Sequence, residues 1–256
     1  MEVRDILIYL SIKYKGDFEK IYSAIITKEE VDYNKVDEVI SSLKHNAITI
    51  IDDNYPDLLK QTYKPPIVLY YYGDIDIINN RRKLGVIGTR HPSEYGSDVT
   101  QSILNDVLKE DITIVSGLAI GIDSLSHQCA LKNNKKTIAV LANGLDSYYL
   151  DNNINLFNSI KEKGLILTEY PMGVKLNKDN FKVRNRIIAG LSKAIFVPEA
   201  NKKSGTSITI KYALEMDREI MCVPSSIFNK ESLTNFLLKQ GAKIVLNSED
   251  ILEEIW

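Results

Sequence analysis

Long apolar runs, cysteine pairs, an excess of either charge and low-complexity tracts are all missing from this sequence. No stretch approaches the ~18 to 20 apolar residues of a membrane span. The N-terminal MEVRDILIYLSIKYKGDFEK is a short apolar stretch broken by Lys and Tyr, with no small-residue cleavage site, which argues against a secretory leader. A cytoplasmic location is the expectation. The only cysteines, Cys129 and Cys222, have no CxxC partner, so neither a disulfide framework nor a zinc site is indicated and both are expected to be buried packing residues. Lys and Arg (32) nearly balance Asp and Glu (34), leaving a formal net charge of -2. The whole-molecule field therefore gives no support to nucleic-acid binding, which would have to rest on a local patch. The dinucleotide fingerprint GxGxxG is absent as well. No cofactor and no metal are expected.

What is present is a chain of 256 residues, 44% of them hydrophobic, enough for a sizeable core in one large domain or a main domain with a small attachment. Residues 1 to about 44 show helical spacing (Ile6, Leu7, Leu10; Phe18, Ile21, Tyr22, Ile25), interrupted at Lys15-Gly16-Asp17. This predicts a small N-terminal helical module. A prolyl and aromatic segment, from Tyr55-Pro56 to Pro65-Pro66 and Ile67–Gly73, then feeds a strand. From Lys83 onward β-branched runs alternate with helical stretches: LGVIG (84–88), ITIVSG (112–117), TIAVLANG (137–144), LILTEY (165–170), AIFVPEA (194–200), EIMCVP (219–224) and AKIVLN (242–247). Such alternation predicts an α/β fold, a Rossmann-like, doubly wound and mostly parallel sheet over residues 45–256.

In such a sheet ligands bind beyond the carboxyl ends of the strands, so the residues following each run are the candidates. They are Gly88-Thr89-Arg90, with Ser93 and Gly96 opening the next helix; Ser116, Gly117 and Gly121, followed by Asp123; and Asn143-Gly144. Small residues let a backbone approach phosphate, and helix N-termini aim amides at it. A polar loop after Glu169-Tyr170-Pro171 runs to Phe181, and Lys182, Arg184, Asn185 and Arg186 follow, placed just before an apolar helix over 187–192. Lys202, Ser204, Gly205 and Thr206 precede another helix starting near Ile208. Between Phe181 and Lys211 seven basic residues (Lys182, Arg184, Arg186, Lys193, Lys202, Lys203, Lys211) accompany one acidic residue, Glu199. A basic, glycine-studded groove of this kind suits a nucleic-acid backbone better than one small nucleotide. For Lys182, Lys193 and Lys211 a solvated surface charge competes with that role.

Asp123 and His127 fall four apart on one helix face. They suit a metal or acid-base pair, or a histidine that braces its own helix and loop; with no third ligand in register, the structural role is the expectation. Ser116, Ser204 and Thr206 have no histidine base near them in sequence, and no catalytic residue is assigned. Tyr148, Tyr149 and Tyr170 lie beside the groove as candidate stacking platforms for bases.

Together, IGTR with Ser93 and Tyr95-Gly96, SGLAIGIDSLSHQCAL, TIAVLANGLDSYY, LILTEYPMG, FKVRNRIIAGLS, FVPEA and SGTSITIKYALEMDREIMCVP resemble, in order and spacing, the DprA/Smf family of bacterial DNA-processing proteins. The resemblance runs from about Tyr55 to Val245. It implies an extended Rossmann domain that binds single-stranded DNA in a basic pocket, forms a homodimer and helps load the RecA recombinase during natural transformation, by binding rather than catalysis. It maps the pocket arginine onto Arg90 and further pocket formers onto Arg184, Arg186 and Ser204 to Thr206. It also implies that residues 1–44 are a degenerate SAM-like module.

Departures from the family pattern stand at Leu150-Asp151, where Pro and often a basic residue are usual, at Lys182-Val183 in place of the usual FPxRNR, at Ser225 and at Leu233. Ending at Trp256, the chain is expected to lack the C-terminal winged-helix-like domain of some relatives. A rival reading is a nucleotide N-glycosidase of related fold, whose PGGxGTxxE loop carries a catalytic glutamate; the corresponding position here is Thr209. A nucleotide-sensing module is the third.

Overall fold

The computed structural model describes residues 2–146 and 153–256. Three helices open the chain: α1 (Val3–Lys13), α2 (Phe18–Ile26) and α3 (Tyr33–Ser41). Asp17 and Asp32 start the second and third by accepting backbone N–H bonds from Lys20 and Asn34, satisfying donors that a helix start leaves open. The short strand β1 (Asn46–Thr49), the turn of helix α4 (Asp57–Lys60) and β2 (Val68–Gly73) follow. The regular alternation then sets in with β3 (Lys83–Val86), α5 (Glu94–Val107), β4 (Thr113–Ser116), α6 (Ile122–Lys132), β5 (Thr137–Val140), α7 (Ile154–Lys163) and β6 (Leu165–Thr168). It continues through α8 (Lys178–Leu191), β7 (Ala194–Val197), α9 (Thr206–Glu215), β8 (Glu219–Cys222), α10 (Leu233–Lys239), β9 (Lys243–Ile244) and α11 (Glu249–Ile255).

The strands form one sheet in the order β1-β2-β6-β5-β4-β3-β7-β8-β9. At one edge β1 pairs antiparallel with β2, and β2 antiparallel with β6; the pairs from β6 through to β9 are parallel. Successive strand residues face opposite sides, and the packing follows that period. Val115, Ile138, Leu165, Leu167, Ile195 and Val197 lie under α8, α9 and α10. On the other face Leu84, Ile114 and Phe196 meet α5, α6 and α11. Further along the same face Ala139, Ile166 and Tyr70 meet α7 and the N-terminal helices through Leu7, Ile8, Leu10 and Ile21. The sheet is thus doubly wound, and the helices over 3–41 pack on it as part of its core. Cys129 and Cys222 are free and buried. Among the described residues no helix is long and apolar enough to cross a membrane.

Three boundaries differ from expectation. Residues 46–49, not foreseen as a strand, pair with β2. The Lys182–Arg186 segment does not precede a helix but lies inside α8, which begins at Lys178 because Asn177 accepts bonds from the amides of Asp179 and Asn180. α9 begins at Thr206 rather than near Ile208.

Candidate functional site

The sheet changes direction between β3 and β7, and the loops after β3, β4, β5 and β7 meet at its carboxyl end. The loop after β4 turns sharply: Leu118 adopts φ +54° and Gly121 φ +86°. A left-handed leucine stores backbone strain. Gly121 is required by contact too, since a Cβ there would stand 2.4 Å from the Thr89 carbonyl oxygen. Asp123 accepts from the Gly117 amide at 3.2 Å. Burial pushes its carboxyl up to about 6 despite the opposing charge of Arg184.

Arg184 reaches into this loop from α8. It donates to the carbonyls of Gly117, at 2.9 Å, and Val140, and its Nε donates to Asn185 Oδ1 at 3.1 Å. A Cβ on Gly117 would lie 2.5 Å from Arg184 Nη1, so glycine is what admits the guanidinium. Burial lowers the Arg184 pKa to about 10, which leaves it cationic at neutral pH. On the solvent side stands Arg90. It is exposed and makes no hydrogen bond or ion pair among the described residues. Its guanidinium lies 5.2 Å from the Phe181 ring centre, and that of Arg184 lies 5.8 Å from the same ring. These three side chains, with Leu118 to Ile120 and Asn143, line an open pocket of about 170 Å³.

Of the residues singled out in the sequence, Arg90, Gly117, Asn143 and Arg184 line this pocket. Others form the scaffold behind it. Ser116 donates to the Val86 carbonyl at 2.6 Å, Thr206 to the Gly88 carbonyl at 3.2 Å, and the Gly144 amide to Val174 at 2.9 Å. The Thr89 carbonyl accepts from Ile122 at 3.1 Å, and Asn185 Nδ2 donates to Gly205 at 3.5 Å. Lys182 and Lys202 are exposed, the first paired with Asp179 at 2.9 Å and the second donating to the Lys230 carbonyl. The Ser204 hydroxyl is buried without a hydrogen-bond partner among the described residues, while Gly205 faces open space.

Arg186 does not join the pocket. Its side chain is 4% exposed and forks onto Glu169, Nη1 to Oε1 at 2.7 Å and Nη2 to Oε2 at 2.6 Å, so in this structure its guanidinium is not presented to a phosphate. The run of seven basic residues is not one patch either. Lys193 donates to the Trp256 carbonyl at the amino end of β7, and Lys211 pairs with Glu215. Charges close in sequence diverge because a helix and a strand carry them apart. Tyr170 is buried, which removes it as a stacking platform, and Tyr148, Tyr149 and the Leu150-Asp151 departure lie outside the described residues.

His127 and Asp123 share a helix face without pairing. Thr137 Oγ1 donates to the Ile114 carbonyl and meets His127 Nδ1 at 2.7 Å, so Nδ1 carries the proton. Burial lowers the ring's pKa to about 3, and the histidine braces α6 against β5 as a neutral side chain.

Two residues were missed. Phe181 stands three before Arg184, and assigning that segment to a helix would have placed both on one face. Glu199, the single acid in the basic run, accepts from the amide and hydroxyl of Ser93 at 2.9 and 3.0 Å. It thereby takes the N-terminus of α5, the place at the switch point where a doubly wound sheet commonly receives a phosphate.

Fold and pocket define a Rossmann-like α/β protein with an open pocket at the carboxyl edge of a mostly parallel sheet, beside rather than on the N-terminus of α5. The family described as DNA recombination-mediator protein A matches residues 46–256, and the chain belongs to that family of DNA-processing proteins. It is 37% identical over 238 residues to the DNA processing protein DprA of Bacillus subtilis, covering 91% of this chain and 80% of that one. The X-ray structure of DprA from Streptococcus pneumoniae superimposes with a TM-score of 0.81 at 32% identity, covering 98% of this chain and 93% of the other. A structure of DprA from Helicobacter pylori, described for that protein's single-stranded DNA binding mode, gives 0.73 at 30% identity, covering 83% and 96%.

Proposed function

We propose that this chain binds single-stranded DNA at the Arg90–Phe181–Arg184 pocket, as a homodimer in the cytoplasm, and hands the strand to a RecA recombinase during transformation or recombination. The observation that carries the reading is the pair of guanidiniums flanking one aromatic ring in an open pocket. Arg90, with no hydrogen-bonding partner among the described residues, supplies a charge and fork-shaped donors for a phosphodiester. Phe181 supplies an apolar ring on which a base can lie. Lys182 extends the track for further phosphates along α8, and Lys202 with the loop at Ser204 to Thr206 offers the alternative course. The work is binding and not bond cleavage, consistent with Thr209 standing where the glycosidase loop has its glutamate. Glu199 at the α5 N-terminus repels a mononucleotide phosphate there, which favours a strand over a small nucleotide. The division into residues 1–44 and 45–256 is proposed as one of sequence pattern and not of separate cores, since both parts share one core.

The test is fluorescence anisotropy of a labelled oligo-dT beside a duplex of equal length, across a salt series. Selective binding to the single strand is expected, with log K falling against log salt by about 0.7 per phosphate contacted. Equal binding of the duplex, or none at low salt, defeats the reading. A free nucleotide that outcompetes the oligonucleotide would favour the nucleotide-sensing alternative.

A further inference from the structure

Arg184 and Arg186 leave α8 about 200° apart around the helix axis, so one turns to the pocket while the other turns away. The second meets an unusual set of partners. Besides the fork onto Glu169, Arg186 Nε donates to the Lys64 carbonyl at 2.9 Å and Nη1 to Val183 at 2.9 Å. Glu169 immediately follows Thr168, the last residue of β6, whose hydroxyl donates to the carbonyl of the pocket residue Asn143 at 2.9 Å. Lys64 pairs through its ammonium with Glu19 of α2. Gly16, between α1 and α2, lies so close to the Glu169 carbonyl that a Cβ would approach it to 2.7 Å. One guanidinium therefore joins α8, the loop after β6 and the segment leading into β2, against which the N-terminal helices rest.

We infer that the Arg186–Glu169 pair is a positioning device for the proposed DNA site: it sets α8 against the β6 loop, and so fixes where Phe181 and Arg184 stand, without touching the strand. The inference deepens the single-stranded DNA reading and rests on it. A contact role and a positioning role predict opposite signs when the carboxylate is neutralised. If Arg186 were a phosphate contact held in reserve by Glu169, Glu169→Gln would free it. If the fork positions α8, the same substitution loosens the pocket.

The experiment uses the full chain, with oligo-dT anisotropy over a salt series for wild type, Glu169→Gln and Arg186→Lys, and hydrogen exchange measured without DNA. Binding at least fivefold weaker in both variants, with an unchanged salt slope and faster exchange over residues 117–121 and 178–184, is expected. An unchanged slope means that no phosphate contact was lost. Lysine keeps the charge and loses the fork, so weakening there separates geometry from charge. Glu169→Gln that binds as tightly as wild type or tighter overturns the inference, as does unchanged exchange in the pocket segments. If the single variants fold poorly, the Glu169→Met/Arg186→Met double removes both charges together and takes their place; wild-type affinity in that protein also overturns the inference. Wild type that fails to bind oligo-dT defeats the DNA reading itself. In that case accelerated exchange in Glu169→Gln still supports the positioning role, and unchanged exchange refutes it.

Discussion

The region around Arg90 and the region around Arg186 are built from the same side chain and do opposite things. Arg90 is exposed and makes no hydrogen bond or ion pair among the described residues, with the Phe181 ring beside its guanidinium. At Arg186 every arm of the fork has an acceptor inside the protein. A cation in a protein is either satisfied internally, and then structural, or left for a ligand, and the choice is made by what the fold brings to it rather than by the residue or its motif. Arg184 stands between the extremes: it is bonded to Gly117 and Val140, yet lines the pocket.

The sharpest way to break this comparison is to remove each cation and measure stability. Arg186→Met strands Glu169 as a buried, unpaired carboxylate, and breaking a buried pair from one side costs about 3 to 5 kcal/mol. For a chain of this size that lowers the melting temperature by on the order of 10 °C. Arg90→Ala leaves no orphaned partner and is expected within about 0.5 kcal/mol of wild type. Urea denaturation of the two variants side by side checks the difference, and comparable losses would erase the distinction.

Binding inverts the order. Arg90→Ala, stable as it is, should weaken oligo-dT binding and reduce the salt slope by about 0.7, the signature of one lost phosphate. Phe181→Ala should cost about 1 to 3 kcal/mol of affinity with the slope unchanged, because stacking releases no counterions. Parallel titrations separate a lost charge from a lost platform. A slope that falls equally in both variants would mean that Phe181 acts by holding Arg90.

Much of this was legible in the sequence, for physical reasons. The β-branched runs announced the core strands because a sheet covered on both faces needs them apolar throughout. The GTR and SGLAIGID turns announced the strand-end loops because their small residues permit close backbone approach. β1 was hidden: Asn46-Ala47-Ile48-Thr49 is short and becomes a strand only by pairing with Tyr71 to Val68. The start of α8 is hidden in a polar stretch where Asn177, the residue that caps it, stands beside Asp179 and Asn180, which are equally good capping types. The fate of Arg186 could not be read locally at all, because Glu169 lies 17 positions away on another element.

A smaller effect sharpens the middle of the comparison, where Asp123 supports Arg184. An acid whose folded pKa is raised, here to about 6, holds its proton in the folded state at pH values where the unfolded chain has released it. Stability therefore falls as pH rises from about 4 to 6, and is flat above that as far as this group is concerned. Asp123→Asn keeps an oxygen for the Gly117 amide and removes the cost of a buried charge. The variant should equal or exceed wild type in stability at pH 7, with the gap closing below about pH 4. Denaturation curves across pH 4 to 7 test this. A variant less stable at pH 7 would mean that the carboxylate's attraction for Arg184 outweighs its burial.

The smallest effects belong to the exposed lysines, and they decide how the strand leaves the pocket. Lys182 follows Phe181 on α8 and is tied only by a surface pair with Asp179, 2.9 Å long and of little energetic value. Lys202 lies on the loop after β7, with its ammonium on the Lys230 carbonyl. Neither substitution by alanine should move stability by more than about 0.5 kcal/mol. A strand that passes from the pocket along α8 meets Lys182 first, so Lys182→Ala is expected to lower the salt slope by about 0.7 while Lys202→Ala leaves it nearly unchanged. The reverse result would send the strand across the β7 loop toward Ser204 and the start of α9. Arg90 would then remain the entry contact, and Phe181 would mark the edge of the track instead of its course.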